Sequence, residues 1–280
     1  MPIRSFLFSS AAAVCLVCGH SNARAEQHAH AQAHDESAPP EEDDAGGCVV
    51  LGVASLPEFE GAAVSQLVPF AVADFQVFGA GVEIRGLQGT IDLLGKGSMW
   101  RAGPAFSVST PRDANTPELA ALGEVGFAFE AGAFIGFETP YGGLNEGALS
   151  GQVAFRHDLL DAHGGFLVTP EIEYFFAVAR FFRIGASLNA SFADANYMET
   201  YFGVPEREGE AAGLSAFDAE AGFKDVGAEL YSILSFNEQW GIFTRGAYNR
   251  ILGNAANSPI VTELGDKNQV FFGAGAFYRF

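Results

Sequence analysis

Three histidines near the start of the chain have the spacing and the neighbours of a transition-metal site. His28, His30 and His34 lie close together, and Asp35 and Glu36 follow directly. Imidazole nitrogens and carboxylates bind Zn²⁺, Cu²⁺ or Ni²⁺, with affinities in the usual order of divalent ions. A flexible segment, however, lacks the second layer of hydrogen bonds that orients metal ligands. The sequence therefore favours a solvated linker over a loose metal site, and we expect no cofactor.

The segment RHDLLDAHGG at 156–165 holds two more histidines, which could supply a base for lipid-modifying chemistry. Such an enzyme needs a nucleophile and a base that face each other. The strand period places His157 on the same apolar face as Phe155, and no serine lies at a matching position nearby in sequence. Interfacial histidines are the simpler interpretation, so the sequence predicts a protein that is not an enzyme.

Eight charged residues recur on the polar faces of alternating segments, and we expect all of them to point into one interior. They are Arg101, Glu130, Arg156, Glu171, Glu173, Arg183, Glu229 and Arg245. In a water-filled lumen such residues tune ion selectivity. In a filled interior they need each other, because an unpaired buried charge is costly. Both interpretations stay open from the sequence.

Long alternating segments must position these charges. In 125–137, 166–178 and 182–192, bulky apolar residues occupy every second position, opposite polar residues or glycine. Similar registers run through 100–109, 147–159 and 226–236. Alternation with a period of two indicates strands with one apolar face. A length of about 10–13 residues suits tilted strands that cross a bilayer.

A soluble β-sandwich also alternates, but its strands average only about 5–6 residues. The chain combines 49% hydrophobic residues with 27 Phe and 34 Gly, which is typical of a transmembrane barrel. After residue 25, no stretch has the 18 or more uninterrupted apolar residues of a membrane helix. We therefore predict an all-β protein with a transmembrane, antiparallel, up-and-down β-barrel over residues 48–280.

The segment 79–95 decides the predicted number of strands. Its apolar residues occupy even positions before Gly86 and odd positions after it, so the phase changes at that glycine. A turn there gives twelve strands, whereas a bulge, with 48–56 outside the barrel, gives ten. The sequence favours about twelve strands, with ten as the alternative.

The start of the chain indicates export to the outer membrane of a Gram-negative cell. Residues 1–25 contain Arg4, an apolar run at 6–18 and Ala-Arg-Ala at 23–25, as in a secretory signal peptide. Residues 26–47 are acidic and contain histidines, and they lack the apolar residues for a core, which predicts a disordered tail.

The formal net charge of −19 disfavours nucleic acid as a partner.

The lengths of the connections predict the orientation of the barrel. Long connections at 194–223 and 254–267 alternate with short ones at 179–181 and 237–239. Outer-membrane barrels have long outer loops and short periplasmic turns, so Phe280 should lie at the periplasmic rim. Carboxylates of the 194–223 loop could hold divalent cations that bridge lipopolysaccharide phosphates, although simple solvation of an outer loop is the simpler interpretation.

Several segments carry a resemblance to one family of outer-membrane proteins. They are RHDLLDAHGG at 156–165, NYMETYFGV at 196–204, AAGLSAFDAEAGFKDVG at 211–227, RILGNAANSPIV at 250–261 and the terminal strand QVFFGAGAFYRF. In their order and spacing they resemble the MipA/OmpV family, the MltA-interacting protein and its relatives. The similarity covers about 48–280.

The resemblance implies a barrel without catalytic residues that holds peptidoglycan-remodelling enzymes, a lytic transglycosylase and a penicillin-binding protein, at its periplasmic face. Family relatives also include porins and adhesins, so a small passive channel or a surface adhesin is the alternative. The terminal Phe280 looks like the signal that the outer-membrane assembly machinery recognises. The expected partners are therefore outer-membrane lipid, lipopolysaccharide, the assembly machinery and those two enzymes.

Overall fold

The computed structural model describes residues 46–95, 98–109, 111–112, 116–139 and 147–280. Twelve strands form a closed barrel in which each strand pairs antiparallel with its neighbours in sequence, and the first pairs with the last. The strands are β1 Cys48–Pro57, β2 Ser65–Val77, β3 Ala80–Arg85, β4 Gln88–Asp92, β5 Trp100–Ser109, β6 Ala128–Glu138, β7 Gly147–Asp158, β8 Phe166–Ala179, β9 Phe182–Ala193, β10 Gly222–Ser235, β11 Trp240–Ile251 and β12 Asn268–Arg279. The predicted all-β, antiparallel barrel is confirmed.

The predicted count of twelve strands is also confirmed, and the alternative of ten does not hold. Gly86 has a φ of 58° and turns the chain between β3 and β4, so the change of phase marks a turn rather than a bulge. The first strand belongs to the barrel, since Cys48 pairs with Arg279 of β12. The predicted signal peptide 1–25 and nearly all of the predicted tail 26–47 lie outside the described residues.

Two short strands leave a notch in the barrel wall. β3 has 6 residues and β4 has 5, and β2 pairs with β3 only from Val72 onward. Ser65–Ala71 of β2 therefore have no strand partner on that side among the described residues, and we call this open edge the notch. The carbonyl of Ala71 accepts a hydrogen bond from Gly86 and points to this side. The backbone of Pro69 also faces the notch, so the lack of an N–H group at this residue removes no hydrogen bond between β2 and a neighbouring strand.

The two ends of the barrel differ. The longer connections, 110–127, 194–221 and 252–267, all lie at one end, which we call the loop end. The chain enters and leaves the barrel at the other end, the terminal end, where Gly47 and Phe280 exchange two backbone hydrogen bonds of 3.1 and 3.0 Å. The predicted alternation of long and short connections matches this arrangement.

Short helices close over the loop end. They are α1 Pro117–Leu122, α2 Ala195–Phe202, α3 Glu206–Ala212 and α4 Pro259–Thr262, together with a 3₁₀ helix, Ala255–Asn257. Helix α2 begins at Asp194, whose side chain accepts a hydrogen bond from the Tyr197 backbone N–H at 3.0 Å. No helix among the described residues has the length and apolar character needed to cross a bilayer. The sequence predicted a plain loop at 194–223 and missed both of its helices.

Side chains on the strands alternate between an apolar outer surface and a mixed interior. On β12, Val270 and Phe272 are exposed, whereas Phe271 and Phe277 are buried. Leu230 on β10 faces outward like Phe272, and its side chain is 64% exposed. A continuous apolar outer band of this kind is suited to lipid rather than to water.

A row of four aromatic rings lies across the lumen in the half nearer the terminal end. Phe175 of β8 stacks on Tyr231 of β10 with ring centroids 6.0 Å apart, and Tyr231 stacks on Phe243 of β11 at 6.1 Å. Phe70 of β2 completes the row, 6.4 Å from Phe243. Because β2 and β8 lie on opposite sides of the twelve-strand ring, this aromatic row spans the barrel.

Glycines on the intervening strands make room for the aromatic row. A Cβ atom added to Gly185 of β9 would overlap the ring and hydroxyl of Tyr231. The Tyr231 ring cannot move aside easily, because its hydroxyl donates to Glu173 Oε1 at 2.6 Å and both of its faces are stacked. The alternation of glycine with bulky residues is therefore a packing requirement of the lumen.

We expect Gly185→Ala to lower the free energy of unfolding by about 1–3 kcal/mol, the usual cost of overpacking. Urea titration of the refolded barrel would measure the change. The matched control is Gly222→Ala on β10, since no atom lies within 4 Å of a Cβ added there. Equal stability of the two variants would contradict the close packing at Gly185.

Candidate functional site

The lumen beside the aromatic row contains a cluster of ion pairs. Arg101 of β5 lies 3.5 Å from Glu83 and 3.6 Å from Asp92, and its Nη1 lies 3.4 Å from Glu138. Arg85 of β3 forms a further ion pair with Glu83. These contacts come from β3, β4, β5 and β6, the side of the barrel that the aromatic row leaves uncovered. Together the row and the cluster lie in the terminal half of the lumen, where a cavity of about 240 Å³ remains beside Arg101.

A second buried cluster lies nearer the loop end and centres on Glu130 of β6, whose side chain has no solvent exposure. Its carboxylate accepts hydrogen bonds from Ser107 and from Ser109, the latter at 3.0 Å. The third partner is His163, whose Nε2 lies 3.3 Å away. His163 also packs edge-on against the Tyr197 ring of helix α2, with centroids 4.9 Å apart. Glu130 thus links the barrel wall to the helices above it.

The segment RHDLLDAHGG forms a tight loop at the end of β7. Asp158 accepts backbone hydrogen bonds from Leu160, His163 and Gly164 at 3.0, 2.8 and 3.1 Å. His157 is exposed on the outer face, with its Nδ1 2.9 Å from the Gly165 carbonyl, whereas His163 is buried inside. The two histidines therefore lie on different sides of the barrel wall.

Helix α2 is held down over the lumen by a buried ion cluster. The Tyr197 hydroxyl donates to Glu60 Oε2 at 2.9 Å. Lys224 of β10 pairs with the same glutamate and lies 2.6 Å from Asp225 Oδ2. Burial, followed by the charge of Glu60, raises the pKa of Tyr197 well above its usual value, so the phenol stays a donor. We call the short helices α1 to α4 at the loop end, together with the cluster of Tyr197, Glu60, Lys224 and Asp225, the cap.

Between the cap and the aromatic row lies a cavity of about 1080 Å³, including the part open to solvent. Its charged lining residues are Glu58, Glu60, Arg112, Arg156, Lys224 and Asp225. Its main apolar and aromatic lining residues are Phe59, Leu167, Tyr197, Tyr201, Ile251 and Phe271. A lining that places a few polar groups among apolar ones is typical of small-molecule sites.

Two arginines of this cavity have only neutral hydrogen-bond partners. Arg112 donates to the Tyr201 carbonyl at 3.1 Å. Arg156 donates to Gln88 Oε1 at 3.0 Å and to Thr169 Oγ1 at 2.8 Å. Among the described residues, no carboxylate lies within 4.0 Å of either guanidinium in an ion pair. Burial lowers the pKa of Arg112, but an arginine remains charged at neutral pH.

The structure places seven of the eight predicted lumen charges in the clusters and cavity just described or in contacts with their neighbours. Glu173 accepts from Tyr231, and Glu171 accepts from Gln152 at 3.1 Å. Arg245 of β11 pairs with Glu229 of β10. The eighth, Arg183, is half-buried near the terminal end, opposite the fully buried Ile233.

The remaining predicted site residues lie at the ends of the chain. His28, His30 and His34 are outside the described residues, so their metal binding stays a prediction. Among the residues that are described, no three His, Cys, Asp or Glu side chains are grouped to hold a metal ion. Phe280 is exposed and its ring stacks on Tyr278 at 6.3 Å. Its role as an assembly signal also stays a prediction.

Sequence reasoning missed Glu60, Arg112 and Lys224, which complete the cap and the cavity. Arg112 lies in a connection, Glu60 lies in the β1–β2 loop, and Lys224 sits at a register shift in β10. Strand periodicity assigns no face to such positions. The signal available in the sequence was the isolated Lys224 beside Asp225 at the start of a long strand.

Comparison with known proteins identifies the family. The model of the family described as MltA-interacting protein MipA matches residues 49–280. The chain belongs to this family. It is 29% identical over 143 residues to outer membrane protein OmpV of Vibrio cholerae, a match that covers 49% of this chain and 50% of OmpV. This MipA-family chain thus aligns with about half the length of that curated relative, and it is an integral outer-membrane β-barrel.

Solved structures share only the general architecture with this MipA-family barrel. The NanC porin has a TM-score of 0.46 at 6% identity, and the match covers 82% of this chain and 98% of NanC. An outer-membrane channel of Pseudomonas putida F1 has a TM-score of 0.42 at 12% identity, with 90% and 100% of the two chains covered. Both are too distant to indicate a function for this chain.

Proposed function

We propose that this MipA-family barrel is a closed membrane anchor that docks peptidoglycan-remodelling enzymes at its terminal end, which then faces the periplasm. The observation that carries the proposal is the packing of side chains across the lumen. The aromatic row and the Arg101 cluster lie in its terminal half, and the cap covers the loop end. We infer that no open path crosses the barrel, which leaves its surface, rather than its lumen, available for function. The family's description names MltA, a lytic transglycosylase, as a partner.

A strained aromatic residue at the terminal end supports docking there. Phe78 occupies the two-residue turn between β2 and β3 with a φ of 51° and a fully exposed side chain. Positive φ is rare for a bulky residue, and asparagine or glycine is favoured at this position of a tight hairpin turn. A large apolar side chain is therefore presented to its surroundings against the preference of the backbone. Such outliers cluster at functional surfaces.

Two further turns at the same end also expose an aromatic side chain. Phe181 lies between β8 and β9, and Phe236 lies between β10 and β11; their side chains are 59% and 64% exposed. Aromatic residues at this level either contact lipid headgroups or anchor a protein partner. Substitution of Phe78 tests which of these two contacts applies, because asparagine suits its position in the turn.

Crosslinking in intact envelopes, followed by affinity capture and quantitative mass spectrometry, tests the docking. We expect the native chain to recover a lytic transglycosylase or a penicillin-binding protein. Phe78→Asn should reduce that recovery about tenfold, the effect of losing one aromatic anchor. The folded yield should stay the same or rise, because Asn-Gly suits the turn.

The matched control is Leu160→Ser, which removes an exposed apolar side chain at the tip of a connection at the loop end. Recovery of the enzymes should be unchanged in this variant. A chain without residues 26–47 shows whether the tail contributes to docking. Failure to capture either enzyme, or equal losses in Phe78→Asn and Leu160→Ser, would reject the proposal.

A further inference from the structure

The cavity below the cap has an uneven distribution of charge. Glu60 and Asp225 both contact Lys224, and Glu58 is a third carboxylate in the lining. Arg112 and Arg156 have no carboxylate within ion-pair distance among the described residues. Glu130 and Glu171 act on Arg156 only from farther away. The negative charge of the cavity is therefore not paired locally with its two arginines.

Both arginines are nearly fully buried, each with 6% exposure. The Nε atom of each is enclosed and has no hydrogen-bond partner. A buried cation without an anion is costly, because neutral acceptors replace only part of its hydration. Two such cations lining one cavity are explained most simply by an anion that completes their shell when it is bound.

The other lining residues indicate the kind of chemical group that carries such an anion. Tyr197 and Tyr201 of helix α2 lie 4.5 Å apart between ring centroids and form one wall. Leu167 and Ile251 add apolar surface. Planar or aliphatic groups pack on such walls, whereas a small inorganic ion would leave them in contact with water.

We propose that this cavity binds an amphipathic anion, whose carboxylate or phosphate head pairs with Arg112 and Arg156 and whose apolar body packs against Tyr197 and Tyr201. The head chemistry is shared by two sources. A free organic acid would enter through the part of the cavity that is open to solvent. A lipid phosphate would enter through the notch, because Gln88, the partner of Arg156, begins β4 beside the open edge of β2.

Calorimetric titration of the full chain in a non-ionic detergent tests the proposal. The probes are 2-naphthoate, its neutral analogue 2-naphthamide, and lipid A presented in mixed micelles. We expect the naphthoate, the lipid A or both to bind, and the amide to bind at least tenfold more weakly than the naphthoate. Binding of the naphthoate alone identifies a free acid as the source, and binding of lipid A alone identifies a lipid headgroup.

The variants Arg112→Gln and Arg156→Gln should each weaken binding of the charged probe by about 10-fold to 100-fold, the effect of one charge-assisted hydrogen bond. Arg207→Gln is the matched control, since Arg207 is exposed on helix α3 and does not line the cavity. The thermal unfolding midpoint without probe shows that each variant is folded, and Arg156→Lys should restore part of the affinity.

Three results would overturn the proposal. One is equal binding of naphthoate and naphthamide, which would show that the cavity does not select charge. Another is unchanged affinity in both arginine-to-glutamine variants while the proteins remain folded. The third is the absence of heat from both anionic probes. These outcomes are independent of the enzyme capture described above, since docking at Phe78 does not involve the cavity.

Discussion

The native barrel, reconstituted into a planar bilayer, should show no stepwise ion current. We infer two seals in series along the lumen. The aromatic row and the Arg101 cluster lie in the terminal half, and the cap covers the loop end through the Tyr197–Glu60–Lys224 contacts. We expect the row of packed rings to stop water and ions, since dewetted apolar constrictions close channels. This is the prediction with the largest expected effect.

Removal of both seals should produce a conducting barrel. The combined variant carries Phe175→Ala, Tyr231→Ala and Phe243→Ala together with replacement of 195–212 by a short Gly-Ser linker. The three truncations remove the stacked rings from β8, β10 and β11, and the linker removes helices α2 and α3. We expect resolvable current steps from this variant and none from either single-seal variant.

The control for the truncations is Phe272→Ala, which removes a ring from the outer face of β12, where the side chain is 65% exposed. It should remain closed even in the presence of the linker. Current from the native chain would contradict the closed lumen and favour a passive channel. A folded double-seal variant that stays closed would show that the aromatic row is not the second seal.

The second large effect concerns Glu130. Substitution by alanine should lower the free energy of unfolding by about 3–5 kcal/mol, because it removes one member of a buried polar cluster and leaves the others without a partner. Ser109 donates to Glu130 at 3.0 Å and His163 lies at 3.3 Å, both in the interior. Loss of the carboxylate also loosens His163 from Tyr197, so we expect the cap to open before the barrel unfolds.

Urea titration followed by tryptophan fluorescence measures this loss, since Trp100 and Trp240 lie on the outer surface near the terminal end. Proteolysis within 195–212 reports the earlier opening of the cap. Glu210→Ala is the control, because this glutamate is exposed on helix α3. A loss of stability in Glu130→Ala no larger than in Glu210→Ala would exclude Glu130 as the link between wall and cap.

Strand periodicity predicted most of the barrel, because each face of a transmembrane strand meets one medium. In 166–178 the apolar positions face outward and Glu171 and Glu173 are buried, as the alternation indicates. The change of phase at Gly86 predicted the β3–β4 turn for the same reason. In the connections between strands the chain does not separate lipid from lumen, so alternation gives no information there and helices α2 and α3 were not predicted.

The sequence by itself determined the class of protein, a transmembrane barrel that resembles the MipA family and has charged residues on its inner face, and it favoured twelve strands over ten. Only the tertiary structure decided which partners those charges have inside the barrel. That outcome depends on contacts between strands far apart in sequence, such as Phe70 on Phe243 and Arg112 on Tyr201. Alternation assigns a side chain to the lumen, but the packing of side chains from opposite walls decides whether space remains between them.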